Sequence, residues 1–193
     1  MNLATIANGP IAEIPAGPLR LAAALGCYTD PRLSGVRIKP GPGGAGVVLE
    51  AMTALRLLKL DCEEGEAQGE VILPTNTLKR LLSSHRDAEI VGVALIPDEV
   101  ELSVRSYSST MTCAVRCLPA TLPAMPELNE RAAVTDATPS WLSMDQLASG
   151  LSALRKQCPE VSVLTQATPH PLLIKAKADG FMATVLMARL ERD

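Results

Sequence analysis

Hydrophobic positions along this chain switch between a two-residue and a helical period, and the clearest switch lies in Glu70–Ser84, EVILPTNTLKRLLSS. Val71, Ile72 and Leu73 form a short apolar strand that meets Pro74, and Leu78, Leu81 and Leu82 then recur at helical spacing. Thr75 to Thr77 offer capping oxygens at the junction, so the stretch predicts a strand turning into a helix. The same order stands upstream in Ile14–Leu25, IPAGPLRLAAAL, where Pro15 and Leu19 keep the separation of Pro74 and Leu78 and Arg20 takes the place of Lys79. A third copy, Trp141–Leu154 (WLSMDQLASGLSAL), sets Ser143 and Leu147 at that separation, with Leu151 and Leu154 extending the stripe. A unit of about 60 residues is present three times.

In order, Met1–Pro10 is a loose leader, Ile11–Pro15 the first strand, and Gly17 and Pro18 open a helix to about Cys27 on Leu19, Leu21, Ala22 and Leu25. Strands are predicted at Leu33–Lys39, Gly46–Met52 and Leu55–Asp61, the first pair joined by the hairpin loop Lys39–Gly46, KPGPGGAG. No Lys-Ser/Thr follows those glycines and a strand comes next, which argues against a phosphate loop. The acidic run Asp61–Glu70 reads as a solvated loop. The second unit repeats the order, with a helix to about Arg86 and strands at Glu89–Ile96, Glu99–Tyr107 and Thr110–Leu118, turning at Pro97-Asp98 and Ser108-Ser109. Val100, Leu102 and Val104 alternate with Glu101, Ser103 and Arg105, the period of a half-buried antiparallel strand. Leu118–Ser140, rich in Pro, Ala and Thr, is a linker. The third unit supplies a strand at Trp141–Ser143, a helix to about Gln157, and strands at Val161–Gln166, Leu172–Ala178 and Phe181–Leu190.

A β-α-β-β-β unit leaves an open sheet edge, so two units side by side are expected to join into one continuous sheet with both helices on the same face. That makes residues 1–118 one domain, with halves at about 11–67 and 68–118, followed by the linker 119–139. Residues 140–193 remain as a half without its mate, which predicts association.

Composition narrows the functions open to such a chain. Of 193 residues 47% are apolar and only 2% aromatic, so the core is aliphatic and stacking on bases has few rings to use. A net charge of −3 argues against general coating of nucleic acid, while leaving room for a locally basic face. Five scattered cysteines (Cys27, Cys62, Cys113, Cys117, Cys158) without a C-x-x-C pair point to a reducing compartment, and Cys113 and Cys117, four apart on one face of a strand, read as small buried hydrophobes rather than a metal site. No apolar run reaches the roughly 18 residues a membrane span needs, and the start lacks a secretory pattern, so a soluble cytoplasmic protein with no membrane partner is expected. Catalysis finds no footing: His85 and His170 stand in different units, Asp145 and Glu160 lack an evident partner, and no nucleophile, zinc or dinucleotide signature is present. Neither enzyme activity, cofactor nor metal is expected.

Four segments carry a family resemblance. PRLSGVRI (Pro31–Ile38), VVLEAMTALRLLKL (Val47–Leu60), VILPTNTLKRLL (Val71–Leu82) and TVLMARL (Thr184–Leu190) resemble, in order and spacing, stretches of the DNA polymerase III β subunit, the bacterial sliding clamp. The likeness runs from Ile11 to Leu190 and is to the clamp's middle domain followed by the last half of its final domain. It implies an α+β, DNA-clamp-like fold of repeated β-α-β-β-β units, helices on one face of antiparallel sheets, with one full clamp domain plus one half-domain. It also implies a non-catalytic processivity factor for DNA replication, a homo-oligomer that encircles or cradles duplex DNA without reading sequence and tethers a polymerase or repair factor through a peptide motif. The family ring resembles twelve such halves, so three per chain would close as four chains, or two chains would join their lone halves. The alternative is a clamp-fold structural or interaction module that has lost DNA.

Residue by residue, the resemblance puts the walls of a hydrophobic peptide pocket on Leu33, Met52, Leu55, Arg56, Leu57, Pro74, Leu78, Leu186, Met187 and Arg189. Thr53-Ala54-Leu55 stands where the family has Asp-Gly-His, and Leu186-Met187-Ala188 where it has Met-Pro-Met, so the backbone shaping the pocket differs. The same residues also read as ordinary sheet core. For DNA the candidates are Arg20, Lys79, Arg80, Arg86, Arg155 and Lys156, with Lys79 and Arg86 expected on the helix face opposite Leu78, Leu81 and Leu82. Solvated helix faces are the other reading of these charges.

Overall fold

The computed structural model describes residues 11–26, 30, 33–96, 99–115, 143–164 and 172–188. The first unit is β1 (Ala12–Pro15), α1 (Ala16–Leu25), β2 (Gly35–Pro40), β3 (Val47–Thr53) and β4 (Arg56–Cys62). After a two-residue β5 (Glu66–Ala67), the second is β6 (Val71–Pro74), α2 (Thr75–Ser84), β7 (Ala88–Ile96), β8 (Glu99–Ser106) and β9 (Thr110–Val115). The third contributes α3 (Met144–Arg155), β10 (Glu160–Leu164), β11 (Leu172–Ala178) and β12 (Phe181–Met187). The leader Met1–Pro10, Cys27, the Pro97-Asp98 turn, Cys117, the 119–139 linker, Trp141-Leu142, Thr165-Gln166, His170 and Arg189-Leu190 lie outside the described residues.

Proline sets the start of both α1 and α2. Pro15 and Pro74 sit at the N-cap positions with φ of −57 and −62 and extended ψ, ending a strand and releasing the chain into a helix. The expected threonine cap is not made: Thr75 is the first residue of α2, its N–H donates to the carbonyl of Ser34 at 3.0 Å, and its Oγ1 is buried without a partner among the described residues. The neighbouring strand's lead-in does the work of the cap. At α3 a side chain does it, with Ser143 Oγ accepting from the Gln146 N–H at 3.4 Å.

Two antiparallel sheets form, in the orders β5-β1-β7-β8-β9 and β10-β11-β12-β4-β3-β2-β6. This corrects the expectation of one continuous sheet for the first two units. Each unit's first strand lies in the other unit's sheet: β1 pairs β7, with Ile14 opposite Val91, and β6 pairs β2, with Leu73 opposite Val36. The reason is the crossover, since α1 and α2 each leave a strand of one sheet and deliver the chain to the other. The acidic run is also not all loop, because Ala67 and Glu66 pair Ala12 and Glu13 to put β5 on the edge of β1.

The third unit is joined to the first within the chain. β12 runs along β4 from Phe181 opposite Cys62 to Met187 opposite Arg56, so its inner edge is satisfied without a second molecule. Above the sheets, α1 packs against both α2 and α3 as well as β3, β4 and β7. That central position explains the alanines of α1: Ala16, Ala22 and Ala23 are buried along with Leu19, Leu21 and Leu25, because neighbours close on the helix from both flanks.

Candidate functional site

Register divides the expected pocket residues between two faces. Side chains directly opposite in an antiparallel ladder share a face. Met52 is opposite Leu57, Leu57 opposite Leu186, and Leu186 opposite Leu173, giving an apolar row across β3, β4, β12 and β11. β2 carries the row on to β6, because Val36 pairs both Ala51 and Leu73 and Gly35 pairs Pro74. Met52, Leu173 and Leu186 are buried, and Leu57 and Pro74 are half-buried. Leu173 is a member that the sequence does not single out; its signal is only the register of β11 on β12.

The row stands on the side of the sheet away from the helices. The helix side is marked by Leu58 and Leu60, both fully buried, and by Arg56 and Met187, which pair with one another. Arg56 is 6% exposed, and its guanidinium donates from Nη2 to the Leu25 carbonyl at 2.9 Å and from Nη1 to Ser149 Oγ at 3.1 Å and the Gln146 carbonyl at 3.3 Å. It therefore ties the end of α1 to α3. Met187 lies beneath Gly150, where a Cβ would stand 2.6 Å from Met187 Cε. Leu78 is fully buried in the stripe of α2. Arg56, Met187 and Leu78 are thus brought together with the helix layer and not with the outer row. Leu55, half-buried in the β3–β4 turn, accepts at its carbonyl from the Ala188 N–H at 2.9 Å, and Leu33, also half-buried, precedes β2. Arg189 lies outside the described residues.

Next to the apolar row runs a charged one. Glu50 is 1% exposed and takes ion pairs from Arg37, at 3.0 Å, and from Lys39, while Arg37 Nε also reaches Glu70 at 3.1 Å. A buried carboxylate needs such partners, and these three side chains sit on adjacent strands β2 and β3.

The helix layer holds most of the basic candidates. Lys79 and Arg80 are exposed on α2, and Arg155 and Lys156 are exposed at the end of α3. The expectation that Lys79 and Arg86 share a helix face is corrected: α2 stops at Ser84, with His85 N–H donating to the Leu81 carbonyl at 3.2 Å, so Arg86 is exposed in the following turn. Arg20 has other work, donating from Nη2 to the carbonyls of His85 and Arg86 at 2.9 Å and of Ala88 at 3.1 Å. A cation there answers the partial negative charge at the end of α2. Neither α1 nor α2 contains an acidic residue, and the one carboxylate of α3, Asp145, is matched by Arg155, so the layer is locally positive on a chain of net charge −3.

A cleft of about 310 Å³ lies between α2 and β9, lined by Asn76, Thr77, Arg80, Leu81, Ser84, His85, Met111 and Cys113. Burial, with nearby Glu101 second, raises the Cys113 thiol, and burial also raises Cys158. Cys62 is pushed up to about 12 by burial first and Asp61 second. Among the described residues no three His, Cys, Asp or Glu side chains are grouped to hold a metal ion, and no helix is long and apolar enough to cross a membrane. His85 closes α2, Asp145 is in the first turn of α3 and Glu160 opens β10.

No protein-family model matches the chain, and no curated protein matches it by sequence. Its fold, in contrast, is shared with solved structures. Proliferating cellular nuclear antigen (PCNA) of Entamoeba histolytica superimposes with a TM-score of 0.62 at 14% identity, over 94% of this chain and 100% of that one. PCNA of Thermococcus kodakaraensis gives 0.62 at 15%, over 93% and 100%. The PCNA2–PCNA3 complex of Sulfolobus tokodaii gives 0.64 at 10%, over 92% and 98%. The chain has the α+β sliding-clamp fold.

Proposed function

We propose that this protein is a sliding-clamp-type tether: copies of the chain assemble around duplex DNA, turn the helix layer toward the phosphates and offer the outer sheet face to a polymerase or repair factor. The observation that carries this reading is the sign of the helix layer. In a clamp fold whose overall charge is −3, α1 and α2 hold no carboxylate and expose Lys79 and Arg80, with Arg155 and Lys156 on the neighbouring helix. Contacts to phosphate alone hold duplex without reading it, as a sliding protein requires. Residues 1–118 act as the clamp domain and 140–193 as a further half-domain; the finer likeness, to the bacterial β subunit, rests on the four segments quoted above.

On the outer face, the half-buried Pro74 and Leu57 are the accessible members of the peptide-binding row, Met52, Leu186 and Leu173 are its buried members, and the charged row around Glu50 bounds it. A clamp-fold interaction module without DNA is the second reading, favoured by one observation: Arg20 is committed to the end of α2 and is not presented to a ligand. Assembly from dilute subunits in the presence of circular duplex separates the two. A ring sediments with the circle and leaves when the DNA is cut; failure to sediment with circular duplex at low salt overturns the clamp reading.

A further inference from the structure

Among the described residues each sheet ends in two edge strands, and three of the four are guarded against a further neighbour. β5 is two residues long and carries Glu66, β6 is four residues long and ends at Pro74, and β10 opens with Glu160. Shortness, charge and proline are the devices by which an edge avoids new pairing. β9 has none of them. Its six residues, TMTCAV, make it the longest of the four, and they include no charge and no proline. Thr110, Met111, Thr112 and Ala114 are exposed along it.

This open edge borders the cleft beside α2. Met111 and Cys113 are opposite Val104 and Leu102, both buried on the helix side, so they face α2 while Thr110, Thr112 and Ala114 face away. With the buried Leu81 they give the cleft an apolar floor. Arg80 stands exposed at its rim with no ion pair among the described residues, and none of the residues lining the cleft is a carboxylate. A strand added to β9 would turn every second side chain into this space, which suits an apolar group at the floor and an anion at the rim.

We propose that the β9 edge and the α2 cleft together dock an extended segment of another protein, which joins the sheet as a further strand, sets an apolar side chain against Leu81, Met111 and Cys113, and sets a carboxylate against Arg80. Charge selects this occupant over a second copy. The chain's own five-residue edge, β10, turns Val161 and Val163 to the helix side, opposite Ala176 and Ile174, and its one carboxylate, Glu160, to the other side. Placed along β9, it would leave Arg80 unanswered. The site is distinct from the apolar row on the seven-stranded sheet, and the clamp reading does not require it.

The test uses the full chain without DNA and a fluorescein-labelled probe, Thr-Val-Thr-Val-Thr-Asp-Thr-Val, with anisotropy to measure binding and hydrogen exchange to locate it. Binding should slow exchange in β9. Successive amides of a strand point to opposite sides, so of two probes N-methylated at neighbouring central residues one should bind about fivefold more weakly or worse and the other within about twofold of the parent. Changing the probe's Asp to Asn, or Arg80→Gln in the protein, should each cost about fivefold, and both together no more than either alone. Arg80 is exposed, and unchanged circular dichroism controls for folding. No binding at millimolar probe, methylated probes that bind alike, or an Asn probe that binds as tightly overturns the proposal. Amides of β9 that exchange slowly before any probe is added show a second copy on the edge, which overturns the proposal and leaves the clamp reading standing.

Discussion

Arg56 is the side chain on which the junction between the first and third units should be most sensitive. Replacing it with Met keeps the aliphatic stem but removes three donors: one to the buried Leu25 carbonyl and two to Gln146 and Ser149 on α3. Hydrogen bonds from a charged donor contribute about 1.5–3 kcal/mol each, and a buried acceptor left unpaired costs about 1–3 kcal/mol. The three share one guanidinium and are not additive, so the expected loss is about 3–4 kcal/mol in total. Urea unfolding followed by circular dichroism measures it, and hydrogen exchange locates it. Faster exchange should concentrate in α3 and the last turn of α1, with β7 and β8 unaffected, because the three hydrogen bonds lost end on the former. Arg56→Lys should recover less than half of the loss, since an ammonium cannot span the same acceptors. A loss under about 1 kcal/mol, or one spread evenly over both sheets, would refute the assignment of Arg56 as the tie between α1 and α3.

Three further outcomes follow from contacts already described. Arg20→Gln should lower stability by about 1–2 kcal/mol, as three carbonyls at the end of α2 lose their donor, and leave the salt dependence of DNA retention unchanged, whereas Arg80→Gln should leave the melt within about 0.5 kcal/mol and reduce the slope of log K against log salt by about 0.9. Gly46→Ala should cost at least about 2 kcal/mol in a thermal melt, because Gly46 has φ +68 and a Cβ there would be driven into the Cys62 carbonyl oxygen. Cys62 sets a limit at high pH: above its ordinary 9.0 the unfolded thiol ionises while the folded one, raised to about 12, keeps its proton. Stability should then fall by about 1.4 kcal/mol per pH unit across that window and be insensitive to this thiol below it. Cys62→Ala should remove that share of the slope, and an identical slope in the variant would sink the assignment.

Local elements are legible in this sequence because their signals are local. Val100, Leu102 and Val104 alternate and are buried at 0%, 0% and 2%, and Leu78, Leu81 and Leu82 recur on the stripe that α2 turns inward. Pairing partners are another matter, since nothing near Ile14 says that Val91 lies opposite it. The exchange of first strands, the two-residue β5 hidden among acidic residues and the capture of β12 by β4 all depend on contacts far apart in the chain. The site was legible in part for the same reason. The apolar character of Met52, Leu57 and Leu186 is plain in the sequence, but which face each takes depends on register, and that sends Arg56 and Met187 to the helices. Arg20 has the look of an exposed cation on an apolar helix, and only its reach to the end of α2 reveals a structural duty.

The crossing of β1 into the second sheet has a bearing on how the protein is made. As the chain leaves the ribosome, Ile14 has no ladder to join until Val91 emerges, and Val36, which can pair Ala51 first, keeps its other edge open until Leu73 follows. Neither half can settle ahead of the other, so the two mature as one event late in translation of the domain, and during the interval their apolar strands are the surfaces a chaperone would meet.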